Sequence, residues 1–234
     1  MNLPRSVHPE TLDHLAECDP LAVRSRADLR RINRFMRTRA IMARAMQDAV
    51  AAPRRIVELG AGDGTLMLGI ARALARRWPG VHLTLLDRQD LVTQQTLDAF
   101  DAIGWQAERC VADVAEWLAQ PVRGRHDLIL ANLFIHHFED RQLTSMLAAI
   151  AERTNAFFIC EPRRALLPLA GSRLVGLIGA NAVTREDAVL SVHAGFTGKE
   201  LSALWPRQQH AWRLAEYPAG LFSHCFLAVR GAAP

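Results

Sequence analysis

A single lysine, Lys199, and a single tyrosine, Tyr217, stand in a chain of 234 residues. The paucity of tyrosine, together with the absence of a base-stacking motif, counts against action on RNA. The four cysteines (Cys18, Cys110, Cys160 and Cys225) are scattered and form no C-x-x-C pair. They read as reduced packing residues of a cytoplasmic protein, with no metal site among them. Long apolar runs are also missing. The opening Met1–His8 has none, so no signal peptide is expected. Leu166–Gly179 is apolar but is cut by Pro168, Arg173 and three glycines. It falls short of the ~20 apolar residues that a membrane span needs. Internal repeats and low-complexity linkers are absent as well.

What is abundant is arginine and apolar residues. Half of the chain is hydrophobic, enough for one α/β domain with a sizeable core. The formal net charge is +4. Between Arg24 and Arg55 ten arginines face only Asp28 and Asp48, a local charge of +8. The segment reads as a solvated helix face, with an anion-facing lid or RNA surface as the alternative. Its apolar positions Leu29, Ile32, Met36, Ala40, Ala43, Met46 and Val50 recur at three and four residues. That spacing predicts one helix from Asp28 to about Val50. A shorter helix is expected over His8–Glu17.

The chain is organised around Arg55-Ile-Val-Glu-Leu-Gly-Ala-Gly-Asp-Gly-Thr65. Ile56, Val57 and Leu59 suit a buried parallel strand. Gly60, Gly62 and Gly64 allow a sharp turn and a close ligand approach, and a helical pattern follows from Leu66. A helix N-terminus at such a turn presents free N–H groups to a bound ligand. A dinucleotide fingerprint would place its third glycine where Thr65 stands. Asp87 closes a second apolar strand at the distance where a ribose-binding carboxylate is expected, a turn acid being the alternative. Asp113 precedes a short helix, Val114–Leu118, and is a candidate either to cap it or to touch a ligand. Alternation of strands and helices from Ile56 onward predicts a doubly wound sheet. Trp212–Glu216 and Leu221–Val229 are expected to close it as a hairpin, with Pro218 and Gly220 in the turn.

With Glu58 two residues before its first glycine, E-L-G-A-G-D-G-T resembles motif I of class I S-adenosylmethionine (SAM)-dependent methyltransferases. Asn132-Leu-Phe-Ile-His-His-Phe138 is similar to motif IV of the small-molecule members. It departs from the N-P-P-Y type of enzymes that methylate exocyclic amines on bases. The resemblance covers nearly all of Pro53–Arg230. It implies an α/β fold with a mostly parallel seven-stranded sheet, a C-terminal antiparallel hairpin and an N-terminal helical cap. The cap would be residues 1–52 and the SAM-binding domain residues 53–234, with a helical flap near 164–205.

The resemblance also implies roles for individual residues. Gly60, Ala61 and Gly62 would lie against the methionine and ribose parts of SAM, with Glu58 near the amino end. Asp87 would hold the ribose hydroxyls, with Arg88 beside the adenine and Asp113 and Val114 bordering it. Asn132 and Leu133 would lie beneath the sulfonium. His136 and His137 are candidates for the base that takes a proton from a hydroxyl acceptor, an imidazole being suited to that task near neutrality. The alternative is that the pair only shapes its loop. The expected activity is methyl transfer to a small apolar or aromatic acceptor, held in a pocket lined by the apolar flap Leu166–Gly179 and by Phe134 and Phe138, with a homodimer left open. An RNA methyltransferase and a catalytically silent SAM-fold binding protein are the competing readings.

Overall fold

In the computed structural model, residues 3–206 and 212–231 are described; residues 1–2, 207–211 and 232–234 of the expected cap and domain ranges lie outside them. Five strands run parallel: β1 (Arg55–Leu59), β2 (His82–Asp87), β3 (Gln106–Val111), β4 (Leu128–Asn132) and β5 (Ala156–Pro162). The hairpin of β6 (Trp212–Ala219) and β7 (Ser223–Arg230) joins through an antiparallel pairing of β7 with β5. The seven-stranded order is β3-β2-β1-β4-β5-β7-β6.

Every residue of β5 and the first four of β4 are buried, because helices cover both faces. The period-two geometry of a strand divides these residues between two cores. Ile56, Leu128, Leu130 and Phe158 pack on one face with α3 (Thr65–Leu74). Val57, Ile129, Ala131 and Phe157 pack on the other with α6 (Asp140–Arg153). The remaining helices are α4 (Gln94–Asp101), α5 (Val114–Ala119), α7 (Leu166–Arg173), α8 (Ala182–Ala194) and α9 (Glu200–Leu204). Cys160 and Cys225, distant in sequence, are register partners and remain buried free thiols.

The N-terminal region differs from its expected form. Instead of one helix from Asp28, there are α1 (Pro20–Phe35) and α2 (Thr38–Ala49), broken at Arg37, whose φ is 59°. The apolar stripe is real but serves two partners. α1 packs on α8, while α2 packs on α3, β5 and β7. One straight helix does not reach both. The start lies earlier because Asp19 caps α1, accepting from Leu21 N at 2.7 Å, with Pro20 in the first turn. Asp28 is buried inside α1 and accepts instead from Asn181 N and Thr184 Oγ1 of the α8 entry. The helix expected over His8–Glu17 is a single 3-10 turn, Thr11–His14. Pro218 lies within β6 rather than in the turn. A proline is tolerated there because β6 is an edge strand.

Met42 and Met46 of α2 are fully buried in the core beneath the sheet, so this helix is part of the domain's packing. Met46→Ala is therefore expected to lower the unfolding free energy by about 2–5 kcal/mol in urea titration. Deletion through Val50 is expected to yield a chain without a cooperative unfolding transition. A folded truncated protein would mean that α2 is dispensable to the core.

Candidate functional site

The site lies at the carboxyl ends of the parallel strands, where the connections from β1 and β4 diverge to opposite sides. At the end of β1 the three glycines adopt φ of 67°, 57° and 71° at Gly60, Gly62 and Gly64. These left-handed values explain why glycine is needed. The loop holds itself through Ala61 N to Leu86 O and Gly64 N to Ala61 O. A Cβ built on Gly62 meets nothing within 4 Å, so the loop faces open space there. One built on Gly60 meets the Phe134 ring at 2.4 Å.

Asp87 fixes the loop from the neighbouring strand. Its Oδ2 accepts from Gly62 N at 2.8 Å and its Oδ1 from Gln89 N at 3.0 Å. Each oxygen keeps a further lone pair for a ligand hydroxyl. Glu58, one layer below, is buried, and its Oε2 has no partner among the described residues. Burial, and then the charges of Asp63 and Asp87, push its carboxyl up to about 8. Asp113 caps α5 by accepting from Ala115 N at 2.7 Å and is exposed, so the capping alternative is realised. Val114 beside it is buried. Arg88 does not stand free beside the loop, because its guanidinium binds the backbone and carboxylate of Asp13.

β4 leaves the sheet through Asn132, whose Oδ1 is buried without a partner among the described residues. Leu133 follows with a φ of 50°, a left-handed conformation costly for a branched side chain. The turn is held by Glu161, at the end of β5. Its Oε1 accepts from both Phe134 N and Ile135 N at 3.1 Å, and its Oε2 lies 2.6 Å from His136 Nδ1.

The two histidines have unequal surroundings. His136 is 2% exposed, and its Nε2 reaches Glu10 Oε1 at 3.3 Å. Burial acts to lower its pKa, but the bonds to Glu10 and Glu161 outweigh that and raise it to about 9. His136 is thus an imidazolium donating from both nitrogens, with no free lone pair for an acceptor proton. That arrangement fits the loop-shaping alternative. His137 is partly open, and its Nδ1 lies 3.1 Å from Asp13 Oδ2. Ligand-type atoms of Glu10, His136 and His137 lie within 4.8 Å of one another, but both His136 nitrogens are spent on Glu10 and Glu161, so that ring has no lone pair to offer a metal ion.

Glu10 and Asp13 belong to a strap, residues 3–17, that sequence reading did not bring to the site. Arg5 donates to the carbonyls of His136, Phe138 and Ala194, while Thr11 N and Leu12 N donate to Asp187. Asp90 N donates to Glu17 on the far side of the loop. Nothing in the local pattern marks the strap. Glu161 was more legible, being an acid that ends an apolar strand, like Asp87.

Beyond Leu133 opens an apolar cavity of about 460 Å³ between α1, α7, α8 and the ends of β4 and β5. Leu29, Ile32, Leu133, Pro168 and Val192 line it, with Phe222 from the β6–β7 turn. Phe134 and Phe138, expected to line an acceptor pocket, instead stack edge to face and pack against the α6-side core. Ser191 is a polar wall residue whose hydroxyl donates to Glu10.

The buried ionisations have opposite consequences for pH. His136, raised from 6.5 to about 9, contributes stability that is full below 6.5 and is lost as pH rises through 9. Glu58, raised from 4.5 to about 8, leaves the fold undisturbed below 4.5 and weakens it progressively up to 8. Thermal midpoints should therefore fall from neutral to alkaline pH. His136→Gln should flatten the fall between 8 and 9 in particular. An unaltered slope in that variant would contradict a charged His136.

No protein-family model matches the sequence, and no curated protein sequence matches it. Solved structures do resemble the fold. The plantazolicin methyltransferase BamL, solved with a triazolic desmethyl-plantazolicin analogue and S-adenosylhomocysteine (SAH), superposes with a TM-score of 0.62 at 14% identity over 94% of this chain and 93% of its own. The magnesium protoporphyrin IX methyltransferase ChlM of Synechocystis PCC 6803, solved with SAM, gives 0.54 at 12% identity over 94% and 88%. An O-methyltransferase family protein from Burkholderia thailandensis gives 0.57 at 15% identity over 92% of this chain and 62% of that one. At these identities the likeness establishes a shared architecture, and the chain has the Rossmann-like methyltransferase fold.

Proposed function

We propose that the chain is a SAM-dependent methyltransferase acting on a small apolar or aromatic acceptor that presents a hydroxyl. The observation carrying this reading is the cluster of Glu58, Asp63 and Asp87 around the glycine loop, with Glu58 Oε2 buried and unpaired. Asp63, paired with Arg30, and Asp87 carry the charge near pH 7 and oppose the pyrophosphate of a dinucleotide, while Glu58 is ionised only when a cation faces it. Together the three suit a ligand with an ammonium group, a sulfonium and vicinal hydroxyls. The structural neighbours solved with SAM or SAH support the same choice.

When bound, SAM supplies a methyl group already activated on a sulfonium. The protein's part is to bind, align and exclude water. Gly60, Ala61 and Gly62 would form the bed, Glu58 would answer the amino end, and Asp87 would take the ribose hydroxyls. Asp113, which caps α5 with one oxygen, would border the adenine with the other, beside Val114, while Asn132 and Leu133 would separate the groove from the apolar cavity that would take the acceptor. His137, oriented by Asp13, is the base for the acceptor proton. A carboxylate on one ring nitrogen leaves the other available as acceptor, an arrangement common to imidazole bases. His136 acts as a positioning residue that holds the β4 exit loop.

Calorimetry should show SAM or SAH binding without NADH binding. Asp87→Ala should weaken it by about 1–3 kcal/mol. A ligand ammonium facing Glu58 favours its carboxylate, so binding near pH 7 should release a proton to buffer, and Glu58→Gln should abolish that release. Tight NADH binding, or SAH binding with no buffer-dependent heat, would contradict the assignment. His137→Ala should reduce turnover by roughly 10²–10⁴-fold with SAM affinity nearly unchanged. Full activity in that variant would return the histidine to a structural role.

A further inference from the structure

The mouth of the apolar cavity carries side chains that a water-facing surface does not ordinarily display. Between α7 and α8 the chain makes a 3-10 turn, Val175–Ile178. Leu177 in that turn is 83% exposed. Phe35, at the end of α1 across the mouth, is 67% exposed, and Leu167, Leu174 and Ile178 are open as well. All five also line the cavity, so the outer patch and the inner chamber form one apolar surface. Contiguous exposed patches of this kind mark interaction sites.

The rim is cationic. Arg31 reaches the carbonyl of Gly179, and the stem of Arg185 lies against Gly176. Arg34 and Arg173 are exposed on the two helices that flank the mouth. The acids nearby are largely engaged. Asp28 is buried and bonded to Arg31, Asn181 and Thr184, and Asp187 is buried against Thr11 and Leu12, which leaves Glu186 exposed on α8. Arginine stems can cover apolar surface while their heads reach a polar layer.

We propose that this face docks on an anionic lipid surface, with Leu174, Leu177 and Ile178 entering the acyl boundary and the arginine rim meeting the headgroups. Apolar side chains on a protruding turn inside a cationic ring match such a surface in both polarity and charge. A second copy fits less well, because a two-fold contact sets the patch against itself and brings the same arginines together. Nucleic acid matches the rim but not the apolar centre. The proposal also deepens the reading of the acceptor as a lipophile that passes from bilayer to cavity. That second clause rests on the methyltransferase assignment, whereas docking does not.

The test is co-sedimentation of the full chain with phosphatidylcholine vesicles, with and without phosphatidylglycerol. The protein should bind the anionic vesicles, and less so the neutral ones or at high salt. Leu177→Glu should weaken binding by roughly tenfold or more. Because Leu177 is exposed, its thermal midpoint should not change. Replacing Arg34, Arg173 and Arg185 by Gln should remove the preference for phosphatidylglycerol. No binding to anionic vesicles, or equal binding by Leu177→Glu, would overturn docking. So would a concentration-dependent dimer that Leu177→Glu disrupts in a chain that ignores vesicles. SAH binding measured on the same samples separates failure of docking from failure of the cofactor assignment.

Discussion

A positive charge enclosed between two carboxylates holds the upper edge of this sheet together. The His136 imidazolium joins Glu161 at the end of β5 to Glu10 in the N-terminal strap, and Glu161 with its other oxygen fixes the backbone of Phe134 and Ile135. Burying one of these groups alone would be costly, since an unpaired charge in a low-dielectric interior loses its hydration without compensation. Together they satisfy one another. Removing one partner leaves another exposed to that penalty, so β4's exit, β5's end and the strap are coupled through a single ring. The strained conformation of Leu133 follows from the same constraint. Its neighbours on the C-terminal side are pinned by Glu161, and its own N–H is pinned by Cys160 O at 3.1 Å.

The division between the glycine-loop groove and the cavity rests on that turn. On one side lie the glycines and the acids Glu58, Asp63 and Asp87, and on the other the cavity wall is almost wholly apolar. An acidic groove attracts cations and disfavours phosphates, and an apolar chamber disfavours both. The two spaces therefore favour unlike chemistries through electrostatics and desolvation. Leu133 lines the chamber, while its predecessor Asn132 ends the strand with its Oδ1 buried and without a partner among the described residues.

Much of this was legible in the sequence wherever local chemistry and tertiary role coincide. Ile56–Leu59 and Leu128–Ala131 read as central strands because burial on both faces demands apolar runs. Gly60, Gly62 and Gly64 announced a positive-φ turn, and Asp87 the end of its strand. The failures share a different cause. The helix from Asp28 was a correct periodicity with a wrong continuity, since periodicity does not say that one stripe must face two partners. Phe134 and Phe138 were placed in a pocket because apolar residues beside a cavity and apolar residues beneath it look alike in one dimension. The strap was illegible because Glu10 and Asp13 reach residues more than a hundred positions away. The inequality of the adjacent histidines was hidden for the same reason: their partners lie in distant segments.

The strap is fastened unlike the rest of the molecule. Its 3-10 turn buries no residue, and its attachments are hydrogen bonds and ion pairs from Arg5, Glu10, Asp13 and Glu17. Segments held by few apolar contacts open at lower free energy than those that carry core side chains. α2 is the opposite case, anchored by Met42 and Met46 at zero exposure. The N-terminal fifth of the chain thus contains both a part of the core, α2, and a strap held by polar contacts. Because the strap bridges the β2 end at Arg88 and Asp90 to the β4 exit at His136 and His137, it crosses the groove itself. The contacts that hold it there are polar, whereas those that hold α2 beneath the sheet are apolar.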